Sequence, residues 1–382
     1  MTTSDKPRYF IGLMSGTSVD GVDAALVDGA CTPIKLLKMI EYPLPETLKR
    51  QLIQLNHTPN LTLEAFCRLE HDVAIAFVKA TQTLLTQTHL TPADITAIGS
   101  HGQTLFHAPN IPMSLQIGHP AFIAKHTNID TVADFRVDDM AVGGQGAPLA
   151  PSFHQPLFEN DQACYVVNIG GIANVSYLQP KTKNQTNRAP AFGFDTGPGN
   201  ALMDEICQQQ LGVKFDQNGD IAKRGQVHQT LLEGLLQHPY FTNHFPKSTG
   251  RETFNSQWLE KHTAHLANQI TSENLIATLC ELTAQTIQRG IAQLAKQLNA
   301  PTGTIWIVGG GAYNHHLLSR IQHALPAYCV QSSLKCNIDP NAIEAMMCAW
   351  LAQQRIDHQP IPLKSVTGSQ RDVVLGGLWL GR

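Results

Sequence analysis

Three glycine clusters and one glycine-flanked aspartate are the segments of this sequence best placed to do chemistry. The first cluster, Ser15-Gly16-Thr17-Ser18-Val19-Asp20-Gly21-Val22-Asp23, joins two apolar runs. The second centres on Gly170-Gly171, and the third is Gly309-Gly310-Gly311, just ahead of Asn314. A phosphate chain is gripped by backbone N–H groups brought close to it, and glycine permits both the approach and positive φ. In the first cluster Thr17 and Ser18 add hydroxyl donors, and Asp20 and Asp23 are placed to order Mg²⁺ through water. Taken alone, that cluster reads first as a plain Gly/Asp hairpin turn. Asp195 sits between Phe192-Gly193-Phe194, read as a strand end, and a helix beginning near Asn200. A carboxylate there either accepts a proton from a nucleophile or caps the helix. The residues alone leave both open. Neither GxxxxGK[ST] nor GxGxxG is present, so a P-loop NTPase and an ordinary dinucleotide enzyme lose their sequence support.

The elements that must carry these segments alternate strand and helix, which argues for an α/β fold. Tyr9 to Ser15 and Val22 to Asp28 read as strands joined by the first cluster; Ala163 to Asn168 and Ala173 to Leu178 repeat the arrangement around the second. A helix is expected from Leu61 to Thr88, followed by a strand at Ile95 to Ile98 running into a loop, Gly99 to Thr104. Leu275, Leu279, Leu282, Ile287, Ile291, Leu294 and Leu298 mark a long amphipathic helix. Strand Thr304 to Val308 then leads into the third glycine turn, with helices expected at about Asn314 to Leu325 and Ala342 to Gln354. Gln179 to Ala189 reads as an exposed loop, and Phe254 with Trp258 as core.

Composition narrows the function classes. With 27 Lys plus Arg against 30 Asp plus Glu and no basic cluster, no nucleic-acid or anionic-membrane partner is expected. No signal-peptide core or membrane-spanning run is visible, so a cytoplasmic location is expected. The eight cysteines and 17 histidines lack metal-ligand spacing, and free thiols are expected.

Two glycine hairpins opening two halves, with a strand-Gly-Gly-Gly-helix near the end, resemble the actin, hexokinase and Hsp70 superfamily. That likeness implies a two-domain, ribonuclease H-like α/β fold with ATP in the interdomain cleft. Its phosphates would lie between the hairpins and its adenosine on the third glycine turn. The wording of the blocks resembles the anhydro-N-acetylmuramic acid kinases more closely. These blocks are Gly12 to Asp23, Gly99 to Thr104, Val132 to Arg136, Gly143 to Leu149, Asn168 to Asn174, Phe194 to Asn200, Pro246 to Glu252, Val308 to Asn314 and the helix holding Glu344. They run through nearly the whole chain in one order. Departures are small: Val19 where Leu is expected, Phe245 where the family often has Pro, and a long Gln179 to Ala189 loop.

The family resemblance implies that ATP and 1,6-anhydro-N-acetylmuramic acid are the partners, with Mg²⁺ held by ATP and water and Asp20 nearby. Water would open the anhydro ring and the freed 6-oxygen would take the γ-phosphate. Asp195 becomes the base, because water needs one. Gly16, Thr17, Ser18, Val19, Asp20, Gly21, Val22, Asp23, Gly170, Gly171, Gly309, Gly310, Gly311 and Asn314 would hold ATP. Ser15, His101, Gln103, Arg136 and Glu344 would face the sugar, Arg136 by matching a carboxylate with its fork. Arg136 could instead pair with Asp134, Asp138 or Asp139, and Glu344 could simply pair with a cation. Domains are expected at 1–138 with 366–382 and at 139–365; a homodimer is compatible with the sequence. The rivals are a kinase for a free sugar hydroxyl and a nucleotide-switched assembly or chaperone protein on the same fold.

Overall fold

The computed structural model describes residues 7–16, 19–57, 60–158, 162–180, 191–245, 247–266 and 269–382. Thr17, Ser18 and most of the expected Gln179 to Ala189 loop lie outside the described residues. The chain divides into two compact units, Met1–Leu157 with Ala342–Arg382, and Phe158–Asn341.

In the first unit, β1 (Tyr9–Ser15) and β2 (Gly21–Asp28) form the expected hairpin, and β3 (Lys35–Pro43) extends it antiparallel. On the other side β1 pairs parallel with β4 (Ile95–Ala108), which also pairs antiparallel with β5 (Met113–Ile117) and parallel with β6 (Thr131–Ala133). The C-terminal strand Gly377–Trp379 closes that edge against β6. The second unit holds β7 (Cys164–Ile169), β8 (Ile172–Leu178), β9 (Ala191–Pro198), β10 (Thr304–Val308) and β11 (Cys329–Ser332), in the order β11-β10-β7-β8-β9. Both sheets therefore share one plan: three antiparallel strands, then two parallel crossovers beside the first. This is the ribonuclease H-like α/β sheet that the glycine layout implied.

Two expectations need correction. The strand beginning at Ile95 does not stop at Ile98; Gly99 to Thr104 continue it, because β1 pairs alongside up to Gln103 and β5 pairs beyond. Likewise Asp195 lies inside β9 opposite Asn174, not beyond a strand end. Asn200 precedes the short helix Ala201–Ile206, so Asp195 is not its cap.

Helices cover the sheets. Thr62 caps the helix Leu63–Thr88 by accepting from Ala65 N–H at 3.2 Å, and Leu69, Val73, Phe77 and Leu84 on one face enter the first core. The helix Ser272–Leu298 performs the same service in the second unit, burying Leu275, Leu279, Leu282, Ile287, Ile291 and Leu294. Helix Ile343–Ile356 returns to the first unit and is buried along almost its whole length from Ala345 to Ala352. It can sit directly on the sheet because β1 and β4 each present glycine, and Gly12 and Gly99 are register partners. A Cβ on Gly12 would run into the backbone carbonyl oxygen of Ala345, and one on Gly99 into that of Cys348.

Candidate active site

In the first unit Ser15 on β1 and His101 and Gln103 on β4 are inside the protein. Ser15, His101 and Gln103 are 2%, 5% and 3% exposed, so each must find partners within the chain. The Ser15 hydroxyl lies 2.7 Å from Gln103 Oε1 and 3.0 Å from Gly21 O, and Gln103 Nε2 donates to Gly16 O at 3.4 Å. The pair thus braces both ends of the first glycine turn. Val19 completes it: its N–H donates to Gly16 O at 3.1 Å, and its side chain is buried in the core at φ 56°. A β-branched residue adopts positive φ only where its surroundings enforce it.

His101 is fixed on both nitrogens. Arg136 Nε donates to its Nε2 at 2.8 Å, which leaves Nδ1 as the protonated nitrogen, 3.0 Å from Gly102 O. Burial, reinforced by the Arg136 charge, pushes its pKa from 6.5 to about 3, so the imidazole is a neutral acceptor. Arg136 also donates through NH1 to Gly146 O at 3.0 Å. Of its expected acidic rivals, Asp139 accepts from Gly146 N–H and Thr367, and Asp138 from Gly376 N–H. Glu344 stands in the first turn of the helix docked on Gly12 and Gly99. Burial raises the Cys348 thiol pKa one turn later; Glu344 adds to that rise, while Arg136 and the His101 backbone oppose it. Arg136 thus contacts His101, and the helix that carries Glu344 docks on the strand that carries His101. Asp20, by contrast, is engaged at the surface by Lys49 at 2.8 Å.

In the second unit, β9 delivers Asp195. Its Oδ2 accepts from the Ser248 hydroxyl at 2.7 Å and from Thr249 N–H at 3.0 Å, and its backbone carbonyl accepts from Tyr240 OH at 2.6 Å. Lys247, next to Ser248, lies over the rings of Phe194 (5.1 Å) and Tyr240 (4.9 Å) and donates to Tyr240 O. Burial brings its pKa down to about 8. Farther along, Arg251 pairs with Glu205.

The glycines of this unit separate by what surrounds them. Gly309 is a packing glycine: its φ is 74°, and a Cβ would run into the Asn168 amide oxygen. At Gly170 a Cβ would meet nothing closer than 3.7 Å and at Gly310 nothing closer than 3.6 Å, so these two leave room above the turn. Asn314 caps the helix His315–Ala324, accepting from Leu317 N–H at 2.9 Å.

Sequence reasoning gave no role to Asn168, Asn174, Tyr240, Lys247, Ser248 or Thr249. A signal existed for the two asparagines, which flank the Gly170-Gly171 turn and pair across it. No local pattern joins Ser248 and Thr249 to a carboxylate more than fifty residues earlier.

Comparison with known proteins bears on what this arrangement serves. The family model described as anhydro-N-acetylmuramic acid kinase matches residues 8–381. The anhydro-N-acetylmuramic acid kinase of Hydrogenovibrio crunogenus is 51% identical over 373 residues, covering 97% of this chain and 98% of its own. That of Pasteurella multocida is 43% identical over 378 residues, covering 97% and 96%. A solved structure, the activator of the 2-hydroxyisocaproyl-CoA dehydratase from Clostridium difficile with bound ADPNP, aligns over 91% of this chain at TM-score 0.46 and 12% identity. That distant likeness adds nothing to what the sheet order says. Among the described residues no helix is long and apolar enough to cross a membrane.

Proposed function

This chain belongs to the anhydro-N-acetylmuramic acid kinase family, and we propose that it opens the 1,6-anhydro ring of anhydro-N-acetylmuramic acid with water and transfers the γ-phosphoryl group of ATP to O6. The observation that carries the reading is Asp195: a carboxylate with one oxygen tied down by Ser248 and Thr249 N–H, in the block where the family wording predicts the base.

Water is a poor nucleophile until a base takes a proton from it. In the proposed sequence Asp195 accepts one water proton as the water oxygen bonds to the anomeric carbon. The bond from that carbon to O6 breaks, and O6 attacks the γ-phosphorus, releasing ADP. The captured oxygen needs no separate acid, unlike the leaving group of an inverting glycosidase. Asp195 then returns its proton to solvent.

The remaining residues bind and position. The first glycine turn, braced by Ser15 and Gln103, and the open turns at Gly170 and Gly310 would present backbone donors to phosphate. Mg²⁺ would neutralise phosphate charge, held by phosphate oxygens and water. Asp20 and Asp23, at the end of the first glycine turn, would reach the ion through water. The Arg136 fork, positioned by neutral His101, would face the sugar and its lactyl carboxylate. Glu344, on the helix docked against β1 and β4, would bind the sugar.

Mass spectrometry of the product from the anhydro sugar and Mg–ATP tests the reading. N-acetylmuramic acid 6-phosphate formed with stoichiometric ADP is expected. An inert anhydro sugar, with a free sugar hydroxyl phosphorylated instead, would keep the fold and overturn the activity.

A further inference from the structure

Strands β7, β8 and β9 carry a polar row. Asn168 pairs in register with Asn174, and Asn174 with Asp195. Register partners point to the same face, with Cβ atoms roughly 4.5–5.5 Å apart. All three are partly buried, whereas Val167, Ala173, Val175 and Phe194 beside them are fully buried. Within the row, Asn174 Oδ1 is shut off from solvent and has no hydrogen-bond partner among the described residues. A buried acceptor left this way costs stability, and it stands next to the proposed base.

The chemistry of the water supplies a use for it. An attacking water has two O–H bonds. One proton goes to Asp195; the other O–H needs an acceptor that holds it without removing it. An amide oxygen does this, because it accepts a hydrogen bond but is not basic enough to compete for the proton. Acceptors on neighbouring strands at this spacing can share one water, which Asn174 Oδ1, closed to solvent in this structure, meets when its side chain turns toward the bound sugar. We infer that Asn174 Oδ1 is the second acceptor for the attacking water and aims its lone pair at the anomeric carbon. This assignment rests on the hydrolytic reading above. As the water oxygen bonds to carbon and the carbon–O6 bond breaks, the hydrogen facing Asn174 stays behind on the new anomeric hydroxyl.

Two variants test it by their order. Asn174→Leu removes the acceptor and fills the space, so kcat should fall about 10- to 100-fold with both KM values within threefold. Asn174→Ala leaves room for a second water to accept in its place, so its kcat should fall less. A purely structural asparagine predicts the reverse order, since Ala empties the site and Leu fills it. Activity of Asn174→Leu equal to or above that of Asn174→Ala, or within twofold of wild type, would overturn the assignment. Should Asn174→Leu not fold, Asn174→Ala decides alone: a loss of at least fivefold in kcat at unchanged ATP KM supports the role, and anything smaller overturns it. If wild-type enzyme puts no solvent oxygen into its product, the hydrolytic reading itself fails, whatever these variants do.

Discussion

Ser15, His101 and Gln103 in the first unit and the residues around Asp195 in the second are built on opposite principles. Ser15, Gln103 and His101 are buried and satisfied by one another, by backbone oxygens and by Arg136. Asp195 is only half-buried, is held by a segment that includes the exposed Ser248, and has unsatisfied acceptors close by, Asn174 Oδ1 on its register partner and Thr249 Oγ1 on the residue whose N–H it accepts. Buried and mutually satisfied groups are rigid and hold a shape. Groups left incomplete by their own chain are the ones a ligand completes. The first set thus reads as scaffold for a turn and an Arg fork, and the second as the place where atoms react.

That contrast can be broken by experiment, most forcefully at Asp195. Asp195→Asn keeps the Ser248 contact but cannot take a proton, so kcat should fall about 10³-fold while calorimetric ATP binding persists. A loss below tenfold would move the reacting centre elsewhere. The next largest effect is structural. Gly99→Ala drives a Cβ into the Cys348 carbonyl, and denaturant melts should show about 3 kcal/mol of destabilisation; near-neutral stability would mean the helix is not seated as described.

Acid should expose the scaffold's dependence on buried imidazole. His101 and His154, both in the first unit, have pKa values lowered from 6.5 to about 3 by burial. Below pH 6.5 the unfolded chain takes up these protons and the folded chain does not. Stability is therefore full above pH 6.5 and falls toward pH 3, by up to about 1.4 kcal/mol per pH unit for each histidine. Melts between pH 7 and 5 should show this loss, and His101→Gln should flatten the slope. The smallest effect is expected at Ser248→Ala. Thr249 N–H still holds Asp195, so one lost hydrogen bond of about 1 kcal/mol should lower kcat roughly fivefold, seen in steady-state assays.

Much of the fold is legible in the sequence because its signals are local. Gly16 to Gly21 and Gly170-Gly171 each turn a hairpin between apolar runs, and the helices at Leu63–Thr88 and Ser272–Leu298 announce themselves by their apolar period. What stays hidden is decided by distant partners. Whether β4 ends at Ile98 or continues to Ala108 depends on β1 and β5 lying alongside, not on Gly99 or Gly102. Gly12 reads as a strand residue and Gly99 as the start of a loop, yet both are where a helix from the far end of the chain docks. Asp195 is legible as a candidate, through its flanking glycines and the family wording. Its partners Ser248 and Thr249 are not, since nothing near them speaks of a carboxylate.

The most direct test of the central claim is the reaction of 1,6-anhydro-N-acetylmuramic acid with Mg–ATP in ¹⁸O-water, read by mass spectrometry with a control for exchange at the anomeric carbon. Ring opening by water gives a 6-phosphate carrying one solvent oxygen on the anomeric carbon and none in the phosphate. A phosphorylated product without solvent oxygen, or label in the phosphate, would contradict it.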